Sequence, residues 1–395
     1  MASLSKISLH HIGGRWGNGT FPLLPHFERD FVSVLYEADE DAIPGIYESR
    51  KDQKSELIVL PYCLSDRDSD AQLNLYLNPG LTSLRRFGVG LANRYSHLFG
   101  IDFDFGDAGA RLVKQRTIQT RSMDSVLASQ ADTCPPPDFL SLDVQGAEYE
   151  VIVGATNTLR HSVCGVIAEV EFAEMYVGQK RFQDVHDLLS TLGFEFVRFL
   201  SIGETSGPIA PIGFRSSGYQ TWADALFLRR PDSISITNEN RGEMLCKLCF
   251  FAIVFGNIEL AIHCIEFLGS RALRPAHSFS LPDLPVYARF VGEVAQAYEQ
   301  ASKIWAPVFS RILPADRSLE YSRAANPDHW PAIFDDLHKF GDEYVKMLEA
   351  LQTKEDTEIE ALLRRHGLIV QADRLNETRR HQARNIYQTI VAARL

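Results

Sequence analysis

The chain has 395 residues, 45% of them apolar and 23% charged, with a formal net charge of −11 at pH 7. That length accommodates two domains with sizeable cores, and that composition is ordinary for a globular protein. The acidity argues against a nucleic-acid binder, which needs a basic face, and Lys247, Asn257, Glu259 and Glu266 interrupt the most apolar run, Met244–Phe267, so no membrane span is expected.

The opening, MASLSKISLHHIGGRW, has no basic end followed by a long apolar stretch, and the six cysteines are scattered. Both features lead us to expect a cytoplasmic chain with reduced thiols. The first strand is predicted over Ile7–Ile12, followed by a glycine-rich loop, HHIGGRWGNGTFP, and a short helix over Gly19–Phe27 limited by Pro22 and Pro25. Glycines after a strand let backbone amides approach a ligand and turn a helix N-terminus toward negative charge. A tight turn would use the same residues. The nicotinamide pattern G-x-G-x-x-G is absent, because Arg15 stands at the second glycine position counted from Gly13, and Pro22 at the third counted from Gly17.

The second strand, Phe31–Tyr36, ends in Glu37, twenty residues beyond Gly17. A carboxylate at that strand end can accept both hydroxyl protons of a ribose. Further strands are predicted at Leu57–Cys63 and Leu73–Leu77, and the first of these leads to Ser65 and Asp66, which either meet the edge of a base or form a turn. The segment Asn78–Ala110 carries six glycines and reads as a long loop of the kind that covers binding sites.

The fourth parallel strand, Phe139–Leu142, delivers Asp143 to the same crevice, and a helix is expected over Ala147–Leu159. Strand Gly165–Val170 follows, with Glu169 and Glu171 at alternate positions and therefore on one side. A helix over Phe182–Leu192 ends at Gly193. Strands Phe194–Leu200 and Ala225–Arg229 flank the Gly/Ser/Pro-rich Ser201–Trp222 and close the sheet as an antiparallel hairpin. Alternation of this kind indicates an α/β fold with a mainly parallel, doubly wound sheet. Beyond residue 235 strand signals vanish, and we expect an α/β domain over 1–232, a linker over 233–243 and a C-terminal all-α domain over 244–395. CKLC at Cys246–Cys249 lies in an apolar helical context without a second pair, and buried thiols explain it better than zinc. Of His10 and His11, adjacent on a strand, at most one can face a ligand.

HHIGGRWGNG, LYEAD and FLSLDVQGAEYEVIVGA, followed in order by VIAEVEF, LLSTLGFEFV and ADALFLR, resemble the FkbM family of S-adenosylmethionine-dependent methyltransferases over about residues 7–230. The resemblance implies a Rossmann-like methyltransferase fold that binds S-adenosyl-L-methionine. It implies donor contacts from His11, Gly13, Gly14, Gly17, Glu37, Ala38, Asp39 and Asp143, to which the strand-end reading adds Ser65 and Asp66. It also implies methyl transfer to a hydroxyl of a sugar, glycan or secondary metabolite, for which Asp143 and Glu171 are the catalytic candidates. No spacing demands a metal. Three positions depart from the family pattern: His11 where an acid is usual, Arg15 for Asn, and Gln145 for Glu. The rival readings are a non-catalytic module that retains the fold and, further off, a nicotinamide oxidoreductase. The helical segment is left with three candidate roles: covering the acceptor cleft, forming a homodimer, or docking a carrier.

Overall fold

The computed structural model describes residues 4–13, 21–88, 111–205, 219–235, 238, 240–272, 284–312 and 357–394. The chain divides into two compact units, Met1–Phe251 and Ala252–Leu395.

In the first unit β1 (Ile7–Ile12) leads to β2 (Phe31–Tyr36), helix α1 (Ile43–Ser49), β3 (Glu56–Leu60), β4 (Cys63–Leu64) and β5 (Ser69–Tyr76). Next come β6 (Leu112–Arg121), α2 (Met123–Ser129), β7 (Phe139–Leu142), α3 (Glu148–Gly154), α4 (Thr156–His161) and β8 (Gly165–Glu171). The series closes with α5 (Phe182–Thr191), β9 (Phe194–Thr205), β10 (Tyr219–Arg229) and α6 (Arg241–Val254), whose last turn crosses the division. Seven strands form one sheet in the order β3-β2-β1-β7-β8-β10-β9. The first five run parallel, whereas β10 is antiparallel to both β8 and β9. The central strands are buried on both faces, as their unbroken apolar runs require. Their residues Val34, Leu140 and Val166 share a core with Val151, Ile152 and Leu189 from the helices.

Several expectations shift. Residues 21–27 form turns rather than a helix, while Gly19 and Thr20 lie outside the described residues. The strand expected over Leu57–Cys63 breaks at Pro61, which has no N–H to donate. Its continuation β4 leaves the large sheet and joins β6 and β5 in a smaller one, ordered β4-β6-β5. The helix expected over Ala147–Leu159 is two helices, because Asp124 on α2 accepts the backbone N–H groups of Asn157 and Thr158, each at 2.9 Å, and so starts α4 afresh. The antiparallel hairpin is longer than expected, since β9 runs to Thr205 and β10 begins at Tyr219.

The division also falls later than residue 235. Phe251 meets Phe21 edge-on at 6.4 Å and Phe139 in a tilted contact at 4.9 Å, and Phe250 meets Phe27 edge-on at 5.0 Å between ring centroids. Lys247, 5% exposed, pairs at 2.9 Å with Asp138 beside β7. Residues 244–251, taken from composition to open the helical domain, are therefore packed into the first unit. In the second unit the described elements are α7 (Ile258–Ala272), α8 (Val286–Ile312), α9 (Glu358–Arg365) and α10 (Ile369–Arg394). Glu360 on α9 is wholly buried and accepts two bonds from the Arg379 guanidinium of α10, at 3.1 and 3.2 Å.

Candidate functional site

A cleft of about 870 Å³, partly open to solvent, lies at the carboxyl ends of β1, β2 and β7. Gly13, Glu37, Ala38, Asp39 and Asp143 all line it. Gly13 directly follows β1 with φ +98°. A Cβ there would overlap the Asp143 carbonyl, so only glycine lets these two strand ends approach. The Gly13 N–H reaches the Tyr36 carbonyl at 3.3 Å and the Asp143 N–H reaches the Ile12 carbonyl at 3.0 Å, which extends the parallel ladder to the lip of the cleft.

Glu37 is buried at the end of β2, and its carboxylate accepts the Asp39 N–H at 2.8 Å. Its charge, added to burial, pushes the Cys63 thiol up to about 12. Cys63 therefore stays protonated and serves as an apolar wall. Arg116 on β6 donates to the Ala38 carbonyl at 3.3 Å and lies 3.9 Å from Asp39, which steadies the segment after Glu37.

A segment after β5 encloses the other end. Pro79, Gly80, Thr82, Ser83 and Leu84 line the cleft from the first part of the long loop. The described part of that loop, up to Gly88, is stitched down: Asn74 and Ser83 exchange backbone bonds at 2.8 and 3.2 Å, and Gly88 N–H reaches Met175 O at 2.8 Å. Tyr76, Leu81, Phe87, Met175 and Tyr176 form a small separate core beneath it.

The turn after Asp143 carries most of the polar chemistry. Gln145 has φ +58°, the one non-glycine residue with positive φ among the described residues, and such strain tends to collect at functional sites. Its amide nitrogen donates to Asp143 Oδ1 at 2.6 Å and to Glu169 Oε2 at 3.0 Å. Its amide oxygen accepts the Tyr176 hydroxyl at 2.7 Å, and its backbone carbonyl accepts Ser83 Oγ at 2.6 Å. Glu148 turns back to accept the Val144 and Gly146 N–H groups at 2.8 and 3.3 Å.

Burial and the neighbouring Glu171 and Asp143 charges push the Glu148 carboxyl well above the usual range. Burial, Asp143 and Glu148 do the same to Glu169. Glu171 rises to about 8, chiefly through burial and then the Asp143 charge. Acidic oxygens of Asp143, Glu148 and Glu169 lie within 4.8 Å of one another, a spacing open to a divalent cation, and the Gln145 amide bridges two of the three.

The expected residues thus separate. Gly13, Glu37, Ala38, Asp39 and Asp143 come together, while Gly14 and Gly17 lie outside the described residues. Ser65 and Asp66 do not line the cleft; their backbone packs against Gly154 at the end of α3, and Tyr62, Cys63 and Leu64 stand at the wall instead. Glu171 is buried behind the cleft rather than in its lining. His11 is buried between Ser141 Oγ at 3.1 Å and the Gly13 carbonyl at 3.2 Å. A carbonyl only accepts, so Nε2 carries the proton and Nδ1 takes the serine hydroxyl. Burial lowers this imidazole to about 4, against the pull of Asp143. It props the glycine turn from beneath, neutral.

Residues 35–196 match the family model described as the methyltransferase FkbM domain. A solved structure, methyltransferase FkbM from Methylobacillus flagellatus KT, aligns at 13% identity and a TM-score of 0.30 over 58% of this chain and 44% of its own. The chain therefore spans less than half the length of that protein. No curated protein matches it.

Proposed function

We infer, from the match of residues 35–196 to the model of the methyltransferase FkbM domain, that the cleft holds S-adenosyl-L-methionine and that the chain transfers methyl to a hydroxyl oxygen. The observation that carries this reading is the convergence of Gly13, Glu37, Cys63 and Asp143, from separate strand ends, on one cleft. The residues suit the donor. Glu37 can take the ribose hydroxyls, Gly13 leaves backbone room, and Tyr62, Cys63 and Leu64 offer an apolar wall to a base.

When bound, the donor supplies an electrophilic methyl on a cationic sulfur. What this chain must add is alignment, holding an acceptor oxygen about 3 Å from that carbon. Asp143 is the group at the cleft that can take or orient the acceptor proton, a role worth ~10²–10⁴-fold. Glu171, withdrawn from the lining, acts through the buried carboxyl cluster. The acceptor class we propose is a small-molecule or glycan hydroxyl.

Calorimetric titration tests the donor assignment. S-adenosylmethionine should bind the native protein and lose at least about tenfold in affinity with Glu37→Ala. Absence of heat in the native protein would favour a non-catalytic module, and a response to NAD would favour an oxidoreductase.

A further inference from the structure

We propose that Gln145 is a positioning residue that aims Asp143 at the donor's sulfonium and so sets the cleft's preference for the charged donor over its neutral thioether product. This rests on the donor reading above. The geometry explains what an amide does here. Its NH₂ group spans two carboxyls at once, Asp143 at 2.6 Å and Glu169 at 3.0 Å. An ionised acid could donate to neither.

The amide cannot turn over without loss. Burial, Glu169 and Glu171 hold the Tyr176 phenol well above its usual range, so it keeps its proton and donates to the Gln145 oxygen. Ser83 Oγ on the carbonyl and the Tyr176 ring over Gly146 hold the backbone in its left-handed turn. A Cβ at Gly146 would come within 2.8 Å of that ring. Tyr176 and Ser83, from two different segments, thus fix one amide, and that amide fixes one oxygen of Asp143. The other Asp143 oxygen has no hydrogen-bond partner among the described residues and is left for the cleft that Asp143 lines.

A carboxylate so aimed interacts with a cationic donor and not with the neutral product. The ratio of the two affinities therefore reports the aim of Asp143, whereas general damage to the cleft moves both affinities together. Gln145→Gly keeps the left-handed turn without strain and deletes only the amide. Tyr176→Phe keeps the ring and frees the amide to flip.

The 395-residue chain and each variant would be titrated with S-adenosylmethionine and with S-adenosylhomocysteine. The preference for the charged ligand should fall about fivefold in both variants, with S-adenosylhomocysteine affinity unchanged within about twofold. Equal losses for both ligands, or an unchanged ratio in both variants, would overturn the positioning role while leaving the donor site standing. Failure of the native protein to bind either ligand would overturn both.

Discussion

Gly13 carries a demand no other residue type can meet, since its φ of +98° and the Asp143 carbonyl against it exclude a Cβ on two separate grounds. Gly13→Ala should destabilise the protein by about 3 kcal/mol in urea unfolding, because the strand ends must part. Gly45 supplies the contrast. It sits inside α1 with nothing within 4 Å of an added Cβ, so Gly45→Ala should stabilise by about 0.5–1 kcal/mol in the same experiment. If both substitutions cost alike, the close approach of β1 and β7 is not what the first one disturbs. Gly13, Glu37 and Asp143 were legible in the sequence because each is bound to a local signal: a glycine after an apolar run, or an acid where one ends. Tyr176 and Ser83 were not. They reach Gln145 across 31 and 62 residues of chain, and no short-range pattern encodes such a meeting. The one local hint was a bulky residue before Gly146 in a tight turn.

Helix α6 shows how an element can be legible as a helix while its packing partners are not. Its apolar residues surround the whole axis, so periodicity alone offers no face to orient it. Lys247 is the informative position: it is buried, bonded to both Asp138 oxygens at 3.0 and 2.9 Å, and 2.8 Å from Glu243. Burial raises the Asp138 carboxyl to about 6, with Lys247 opposing the rise. Lys247→Ala should therefore cost about 3–5 kcal/mol by leaving Asp138 buried without its partner, and adding Asp138→Asn should recover part of that loss. Thermal unfolding of the single and double variants measures the coupling; simple additivity would show that the pair is not what fastens α6. Strands β1, β2 and β7 matched their expected bounds because continuous apolar runs mark a strand covered on both faces. Strand β6 went unread for the opposite reason. LVKQRTIQTR is exposed along most of its length, and with little buried on either side it lacks the alternation that marks a half-buried strand.

Across the first unit, two sets of buried groups pull stability in opposite directions with pH. Glu148, Glu169 and Glu171 bind protons more tightly folded than unfolded, with Glu171 raised to about 8. Their contribution is complete below the ordinary carboxylate range and is lost as pH rises toward 8. His10 and His11, lowered to about 3 and 4, contribute fully above the ordinary histidine range and lose their effect as pH falls through it. The melting temperature should therefore peak near pH ~5, where the three raised carboxyls begin to outweigh the two lowered histidines, and Glu171→Gln should flatten the alkaline side while leaving the acidic side unchanged. A melting curve still falling as steeply between pH 6 and 8 in that variant would remove Glu171 from the account. The sheet order has a further result for how the molecule is made. Because β10 inserts between β8 and β9, β9 leaves the ribosome with no neighbour in the sheet and must wait for Tyr219–Arg229 to be synthesised. Until then the flank of β8 is an open template that another nascent chain could occupy, so a stall within that interval is the point in biosynthesis at which this protein is most exposed to misassembly.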